Sequence, residues 1–311
     1  MFNFSKYKFI SLFLSLFLII LGFIVTYVIH GGFAHSLDFN GGLRAVIQLG
    51  KDKNKETILK FLEKEEIKGI VILIDKEKNH YQIDVGLDSV PRIINFNQKY
   101  LDESTQNKTQ KKPKIEEFIF TLSKGLELTT EDILSADEVG AIVGNELTST
   151  GISLLFYTML IMTLYLSFRF QFKFAMGASF ALLHDLFFSL AFMGAFQIKP
   201  SVPIIAALLT LLGYSINDTI VIFDRIRENS SGKNSHSFTE IINISINQTL
   251  GRTINTSLAT LISVIAIILG GATELYDFSI VLIFGIFIGT YSSIFIAAPF
   301  VEIYDSFVKK A

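Results

Sequence analysis

Six long apolar stretches constrain the fold of this chain more than any other feature. The first, Phe9–Ile29, is a run of 21 residues without Asp, Glu, Lys or Arg. In a helix that rises about 1.5 Å per residue, such a run crosses a hydrocarbon core roughly 30 Å thick. The sequence therefore predicts a polytopic α-helical membrane protein with six transmembrane helices. The other five stretches, each with at most one charged residue, lie near 148–168, 174–196, 202–223, 253–273 and 278–301.

Charge and residue content exclude several classes of function. The net charge is −2 and only 18% of the residues are charged, whereas a soluble domain carries about 25%. Nucleic-acid binding relies on many lysines and arginines, so no nucleic-acid partner is expected. The chain has no cysteine, which excludes disulfides and thiolate metal sites. It also lacks a phosphate loop, a nucleophile elbow and a metal-ligand cluster, so neither enzyme activity nor a cofactor is predicted.

The distribution of Lys and Arg predicts how the chain is oriented. Short cytoplasmic connections carry an excess of these residues. The connections around 197–201 and 271–278 contain only Lys199, so they are assigned to the outside. Both termini are therefore predicted to be cytoplasmic. The first stretch exceeds the roughly 7–15 residues of a signal-peptide core, which favours an uncleaved anchor. The basic side holds Lys6, Lys8, Arg169, Lys173, Arg225, Arg227, Lys233, Lys309 and Lys310.

The long connection after the first span predicts a small folded domain outside the cytoplasm. Four segments rich in branched residues read as strands, and two segments have helical spacing. Their order, β-α-β-β-α-β, indicates a small α+β ferredoxin-like domain. The lysine-rich stretch Gln98–Lys114 predicts an exposed loop. The strands are Leu43–Leu49, Gly69–Ile74, His80–Val85 and Ile133–Val139, and the helices are Lys55–Glu65 and Ile115–Leu122.

The chain as a whole is predicted to have four parts. Between the fourth and fifth spans, the sequence predicts an amphipathic helix at the membrane interface. This prediction rests on the spacing of Phe238, Ile241, Ile242, Ile246 and Leu250. Docking of this helix on a partner protein is the alternative. The parts are the N-terminus with the first span (1–29), the extracytoplasmic domain (30–147), spans two to six with an amphipathic cytoplasmic loop at 224–251 (148–301), and the cytoplasmic C-terminus (302–311).

One carboxylate inside the fourth stretch indicates a function that is coupled to the movement of an ion. Asp218 lies in the cytoplasmic half of that span, and Arg252 begins the antiparallel fifth span at a similar depth. A charge inside a span costs about 2.5–3.5 kcal/mol on insertion scales. Burial favours the protonated acid and a nearby guanidinium favours the ion, so movement of Arg252 would load or release a proton. The alternative is a static buried pair that fixes helix packing.

Further polar residues surround this predicted pair. Ser215, Asn217 and Thr219 lie within a turn of Asp218, and Asn255 and Thr256 follow Arg252 along one stripe. Sodium is the alternative coupling ion, with Ser215, Asn217 and Thr256 as oxygen ligands. The remaining predicted features are His184-Asp185 in the third span, as a secondary proton site or a packing contact, and Gly285 with Gly289 in the sixth span, as a packing surface.

Several motifs of this chain resemble one family of membrane proteins. Leu212–Asn229 (LGYSINDTIVIFDRIREN) is similar to the fourth-span motif of the SecF family, the smaller half of the bacterial SecD–SecF accessory complex for protein export. The order of the motifs matches along nearly the whole chain. The others are Leu37–Leu43 (LDFNGGL), Glu138–Leu147 (EVGAIVGNEL), His184-Asp185, Asn247–Ser257 (NQTLGRTINTS) and Gly289–Ile294 (GTYSSI).

The resemblance implies a member of the resistance–nodulation–division superfamily, located in the cytoplasmic (inner) membrane of a bacterium. Such a protein uses the proton motive force to help draw secreted chains outward at a late step of export. The implied partners are a SecD-like six-helix protein, the SecYEG channel, exported unfolded polypeptides and membrane lipid. The resemblance further implies that Asp218 and Arg252 correspond to the coupling aspartate and arginine of the family.

Two other functions remain open. The first is half of a proton-driven small-molecule or lipid exporter of the same superfamily. A ligand pocket of about 300–1,000 Å³ is hard to build in the short external segment, which argues against this function. The second is a membrane scaffold in which the Asp218–Arg252 pair is structural.

Overall fold

The chain folds as two compact units. One comprises Met1–Ala34 with Gly151–Ala311, and the other comprises His35–Thr150. Residues 99–113, nearly all of the predicted exposed loop, lie outside the described part of the chain. The computed structural model describes residues 2–34, 37–50, 52–75, 77–98, 114–231, 236–272 and 275–308.

Within the described residues, six helices are long and apolar enough to cross a membrane. This finding confirms the predicted six transmembrane helices. The first span ends in a π-helical turn, Val25–Ile29, and the sixth contains another, Ser293–Ala297. The spans are Phe4–Ile29, Gly144–Arg169, Phe172–Ala195, Val202–Ser231, Phe238–Leu269 and Tyr276–Val308.

The segment 224–251, predicted as an amphipathic cytoplasmic loop, is mostly helical in the structure. The helix of the fourth span continues to Ser231, and that of the fifth already begins at Phe238. The stretch expected to lie on the membrane interface is therefore the start of the fifth helix. Ile242 and Ile246 are buried in the core shared with the third, fourth and sixth spans. Their helical spacing thus reflects packing within the bundle rather than contact with lipid head groups.

Small residues bring the sixth span close to the fourth. A Cβ atom on Gly285 would lie 2.7 Å from Cδ1 of Leu211, and one on Gly289 would lie 3.0 Å from Cβ of Ser215. Larger residues at these two positions would push the helices apart. The structure confirms the packing surface predicted from the glycine spacing.

The described residues of the second unit form one antiparallel sheet of four strands. Their order across the sheet is β2-β3-β1-β4, the arrangement of a ferredoxin-like domain. In the inner strand β1, Leu43 pairs with Val85 on one side and with Glu138 on the other. The small α+β domain predicted between the first and second spans is confirmed. The strands are β1 Gly42–Gln48, β2 Gly69–Asp75, β3 His80–Gly86 and β4 Ile133–Val139.

Helices cover one face of this sheet. Alternate residues of β1 are fully buried together with apolar residues of the helices Lys55–Lys64 and Lys114–Leu126. The sequence does not predict the helix Val90–Gln98, because Pro91 near its start reads as a turn signal. Proline is nevertheless well suited to a first helical turn, where the missing N–H has no intrahelical partner to lose.

Candidate functional site

Asp218 lies in the middle of the polar groups of the bundle. The side chain belongs to the fourth span, and only 2% of the residue surface is exposed. Its Oδ2 atom has no hydrogen-bond partner among the residues that the structure describes. Ionisable groups in such surroundings are costly and most often mark the path of an ion or a proton.

The fifth span runs antiparallel to the fourth beside Asp218. On one side of the acid, the Tyr214 hydroxyl donates to Ser257 Oγ at 3.0 Å. On the other side, Asn229 Nδ2 donates to Ser245 Oγ at 2.8 Å. Asp218 lies between these two contacts along the fourth span. The segment of the fifth span between Ser245 and Ser257 is therefore at the same depth as Asp218.

Thr256 and Arg252 are the groups of the fifth span that act on the Asp218 carboxylate. Thr256 lies beside it, and Arg252 acts through its charge. The Thr256 hydroxyl is directed to its own helix, where it donates to the Arg252 carbonyl oxygen at 3.1 Å. No ion pair joins Asp218 to Arg252, both of which are described, and Arg252 and Asn255 are exposed. The structure thus brings the predicted pair near each other without direct contact.

Asp185 forms a second polar cluster, for which the sequence indicated no partner. The residue is completely buried. Its Oδ2 atom accepts hydrogen bonds from Ser215 Oγ at 2.5 Å and from Ser292 Oγ at 2.7 Å. Its Oδ1 atom lies 2.9 Å from Nδ1 of His184. Three spans, the third, fourth and sixth, therefore meet at one carboxylate.

Hydroxyl groups extend this cluster along the fourth and sixth spans. Thr219 Oγ1 and Ser293 Oγ lie 2.9 Å apart and share a hydrogen bond. Ser293 Oγ also donates to the Gly289 carbonyl oxygen at 2.9 Å. Thr219, predicted to support Asp218, thus contacts the sixth span.

The three oxygen ligands considered for sodium do not converge. Ser215 is engaged with Asp185, Asn217 is exposed, and Thr256 lies on the fifth span. Residues two apart on a helix point about 160° away from each other, so Ser215 and Asn217 face different neighbours. The described residues also include no group of three or more His, Cys, Asp or Glu that could hold a metal ion.

The hydroxyls of the sixth span that join the polar clusters do not stand out in the sequence. Ser292 follows the glycines of the predicted packing surface, and in the structure its Oγ donates to Asp185. Thr290 was not singled out, and its Oγ1 lies 2.7 Å from Ser257 Oγ. The only signal in the sequence was a run of small polar residues after Gly289, which identifies a close helix contact but not its partners.

Fold and site together define a class of protein. The chain is a multi-pass helical membrane protein that carries a small α+β domain and encloses buried carboxylates in its bundle, among them Asp185 and Asp218. Polar residues of this kind in a bundle interior are typical of membrane proteins that move ions or couple to them.

Comparisons with known proteins identify the family. Residues 121–306 match the family model described as "Protein export membrane protein SecD/SecF, C-terminal". The chain is 33% identical over 304 residues to the protein translocase subunit SecF of Borreliella burgdorferi, which covers 96% of this chain and 95% of that relative. It is 42% identical over 181 residues to SecF of Sebaldella termitidis, covering 57% of this chain and 58% of that one. The chain belongs to the SecF family.

A solved structure agrees with this assignment. SecDF from Thermus thermophilus, a translocon-associated membrane protein, superposes with a TM-score of 0.76 at 30% sequence identity. The match covers 98% of this chain and 39% of the SecDF chain. This chain therefore corresponds to less than half of that longer protein.

Proposed function

We propose that this chain is the SecF subunit of the Sec translocation machinery and couples the proton motive force to a late step of protein export across the cytoplasmic membrane. It works without catalysing a reaction, beside a SecD-like six-helix partner and the SecYEG channel, on unfolded polypeptides and in contact with membrane lipid. Family membership supports the role in export. The SecDF match supports the SecD-like partner.

The observation that carries the coupling proposal is that Oδ2 of Asp218 has no hydrogen-bond partner among the described residues. When Asp218 is ionised, no described residue donates to this buried oxygen, so the bundle is stabilised if Arg252 approaches or if a proton binds. When Asp218 is neutral, its side chain carries no charge to attract the Arg252 guanidinium. The two protonation states therefore favour different arrangements of the fourth and fifth spans. A proton that crosses 100 mV supplies about 2.3 kcal/mol to drive the change.

Protons, rather than sodium, are the proposed coupling ion. A sodium site needs several oxygen ligands around one point, and Ser215, Asn217 and Thr256 face different directions. A proton needs only one buried carboxylate, which Asp218 provides. The Asp185 carboxylate is already engaged by Ser215, Ser292 and Nδ1 of His184, so we assign the coupling step to Asp218 and Arg252.

Export and small-molecule efflux can be separated by one experiment. In inverted membrane vesicles depleted of this chain, we expect uptake of a secreted precursor to lose the increment that an imposed proton gradient produces. Adding the chain back should restore that increment, while extrusion of a fluorescent dye from cells should be the same with and without it. Dye efflux that depends on the chain, with export intact, would instead establish the exporter alternative.

We also propose that both termini face the cytoplasm and that the α+β domain lies outside. The chain has no native cysteine, so single cysteines report on orientation without background labelling. Lys60→Cys, at an exposed position of the domain helix, is expected to react with a membrane-impermeant maleimide in intact spheroplasts. Ser231→Cys, at the exposed end of the fourth span, should react only after lysis. The reverse labelling pattern would show the opposite orientation.

A further inference from the structure

We propose that Asp185 is a positioning residue for the coupling step: through the hydroxyls of Ser215 and Ser292 it holds the fourth span so that Asp218 is directed at the fifth. This inference rests on the coupling role proposed for Asp218. It assigns to Asp185 a task different from carrying the coupled proton.

The first observation is that Asp185 joins three spans at one oxygen. Ser215 of the fourth span and Ser292 of the sixth donate to the same Oδ2 atom, at 2.5 and 2.7 Å, from 30 and 107 positions further along the chain. Hydrogen bonds to a carboxylate are stronger than those between neutral groups. Because Asp185 is completely buried, water does not compete for these donors. The contact therefore fixes the three spans relative to one another.

The second observation is the position of Ser215 relative to Asp218. Residues three apart on a helix lie about 60° apart around its axis and about 4.5 Å apart along it. A tether at Ser215 thus sets the rotation of the turn that carries Asp218. Asp218 itself has no hydrogen-bond partner for Oδ2 among the described residues. Its direction is therefore set by the tether on the third and sixth spans.

The third observation is the local geometry of the sixth span. Successive residues of a regular α-helix point about 100° apart, and Ser292 and Ser293 are both completely buried. Ser292 donates to Asp185 of the third span, whereas Ser293 donates to the Ser215 carbonyl oxygen of the fourth. The π-helical turn Ser293–Ala297 begins at this point. Such turns are rare and occur frequently at functional sites. The helix is distorted where it supplies hydroxyls to the cluster around Asp185.

If the contact of Asp185 with Ser215 and Ser292 only stabilised the bundle, the hydrogen bonds would be the same. The test must therefore measure a property of Asp218 itself. We would measure, per molecule, the rate at which a hydrophobic carbodiimide labels Asp218 in native membranes containing the full chain, with mass spectrometry as the readout. An interhelical hydrogen bond of average strength in a membrane corresponds to about a threefold change. We therefore expect the labelling rate to rise about threefold in Ser215→Ala or Ser292→Ala alone. In the double variant Ser215→Ala with Ser292→Ala, we expect a rise of about tenfold. The gradient needed for half-maximal stimulation of export should rise in the same variants.

Ser279→Ala is the matched control for Ser292→Ala. Ser279 lies on the same span and is equally buried, but its Oγ has no hydrogen-bond partner among the described residues. It should leave both the labelling rate and the gradient response unchanged. Asp185→Ala, which removes the oxygen that accepts both serine hydroxyls, is expected to behave like the double serine variant. If this variant fails to accumulate in the membrane, the serine variants still provide the test.

Two results would overturn the inference. One is a labelling rate and gradient response in the double serine variant equal to those of Ser279→Ala. The other is a lower amount of protein in the membrane with unchanged labelling per molecule, which would make the cluster merely structural. Failure of the coupling proposal is a separate result, since it would appear as normal gradient-driven export in Asp218→Asn whatever the serine variants do.

Discussion

Replacing Asp218 by Asn is expected to abolish the part of protein export that depends on the proton gradient. Asparagine has nearly the same shape, but it cannot gain or lose the proton, so the two arrangements of the fourth and fifth spans no longer differ in their response to the gradient. At 100 mV the lost driving free energy is about 2.3 kcal/mol per proton, or roughly a factor of forty in an equilibrium. The measurement is precursor transport into inverted vesicles with and without an imposed gradient.

Asp224→Asn provides the matched control for this experiment. Asp224 ends the apolar part of the same helix, where it is partly exposed and paired with Arg169 and Arg227. Exposed ion pairs contribute little to stability, about 0–1 kcal/mol, so this variant should retain gradient-dependent export. If Asp218→Asn responds to the gradient as well as Asp224→Asn does, the carboxylate is not the coupling group and the pair is structural.

Replacing Gly289 by Val is expected to destabilise the bundle strongly. Even a single Cβ atom at this position would lie 3.0 Å from Cβ and 3.3 Å from Cα of Ser215, so the two helices must separate. Overpacking of a tight interior costs about 1–3 kcal/mol. The displaced Ser215 would also lose its short hydrogen bond to Asp185. Heating of the purified protein in detergent, followed by size exclusion, measures the loss as a lower temperature of half-survival.

Gly213→Val separates the effect of packing from that of helix propensity. Gly213 is also inside a span, but a Cβ atom there meets no other atom within 4 Å. Both variants carry the same intrinsic cost of replacing glycine by a β-branched residue in a helix. A half-survival temperature for Gly289→Val equal to that of Gly213→Val would show that the close contact of the fourth and sixth spans contributes nothing to stability.

The elements of this fold were largely predictable because their signals are local. Apolar runs such as Phe9–Ile29 leave few alternatives, since a chain inside lipid must satisfy its backbone hydrogen bonds within a helix or a closed barrel. Strand β4 was predicted from little more than the pattern Ile133–Val139, and it pairs along β1. The amphipathic helix predicted within 224–251 is present as the start of the fifth helix. The sequence did not show what its apolar face contacts, because the spacing of Ile242 and Ile246 is the same whether a helix contacts lipid or its own bundle.

The site was predictable only in part. Asp218 and the His184-Asp185 pair stand out because ionisable residues are rare inside apolar stretches, so composition alone identifies them as important. The contact expected between Asp218 and Arg252 rested on equal depth, and depth does not determine which way a side chain points. In the structure Arg252 is exposed and forms no ion pair with Asp218, both residues being described.

Local signals in the sequence establish that the chain spans a membrane six times, carries a small α+β domain and places acids inside its spans, because hydrophobicity and periodicity act over one or two turns of chain. Which groups those acids contact is set only when the helices pack together. Asp185 takes its donors from Ser215, 30 positions away, and from Ser292, 107 positions away. Contacts at such separations depend on how helices rotate and approach, which is set by the packing of the whole bundle.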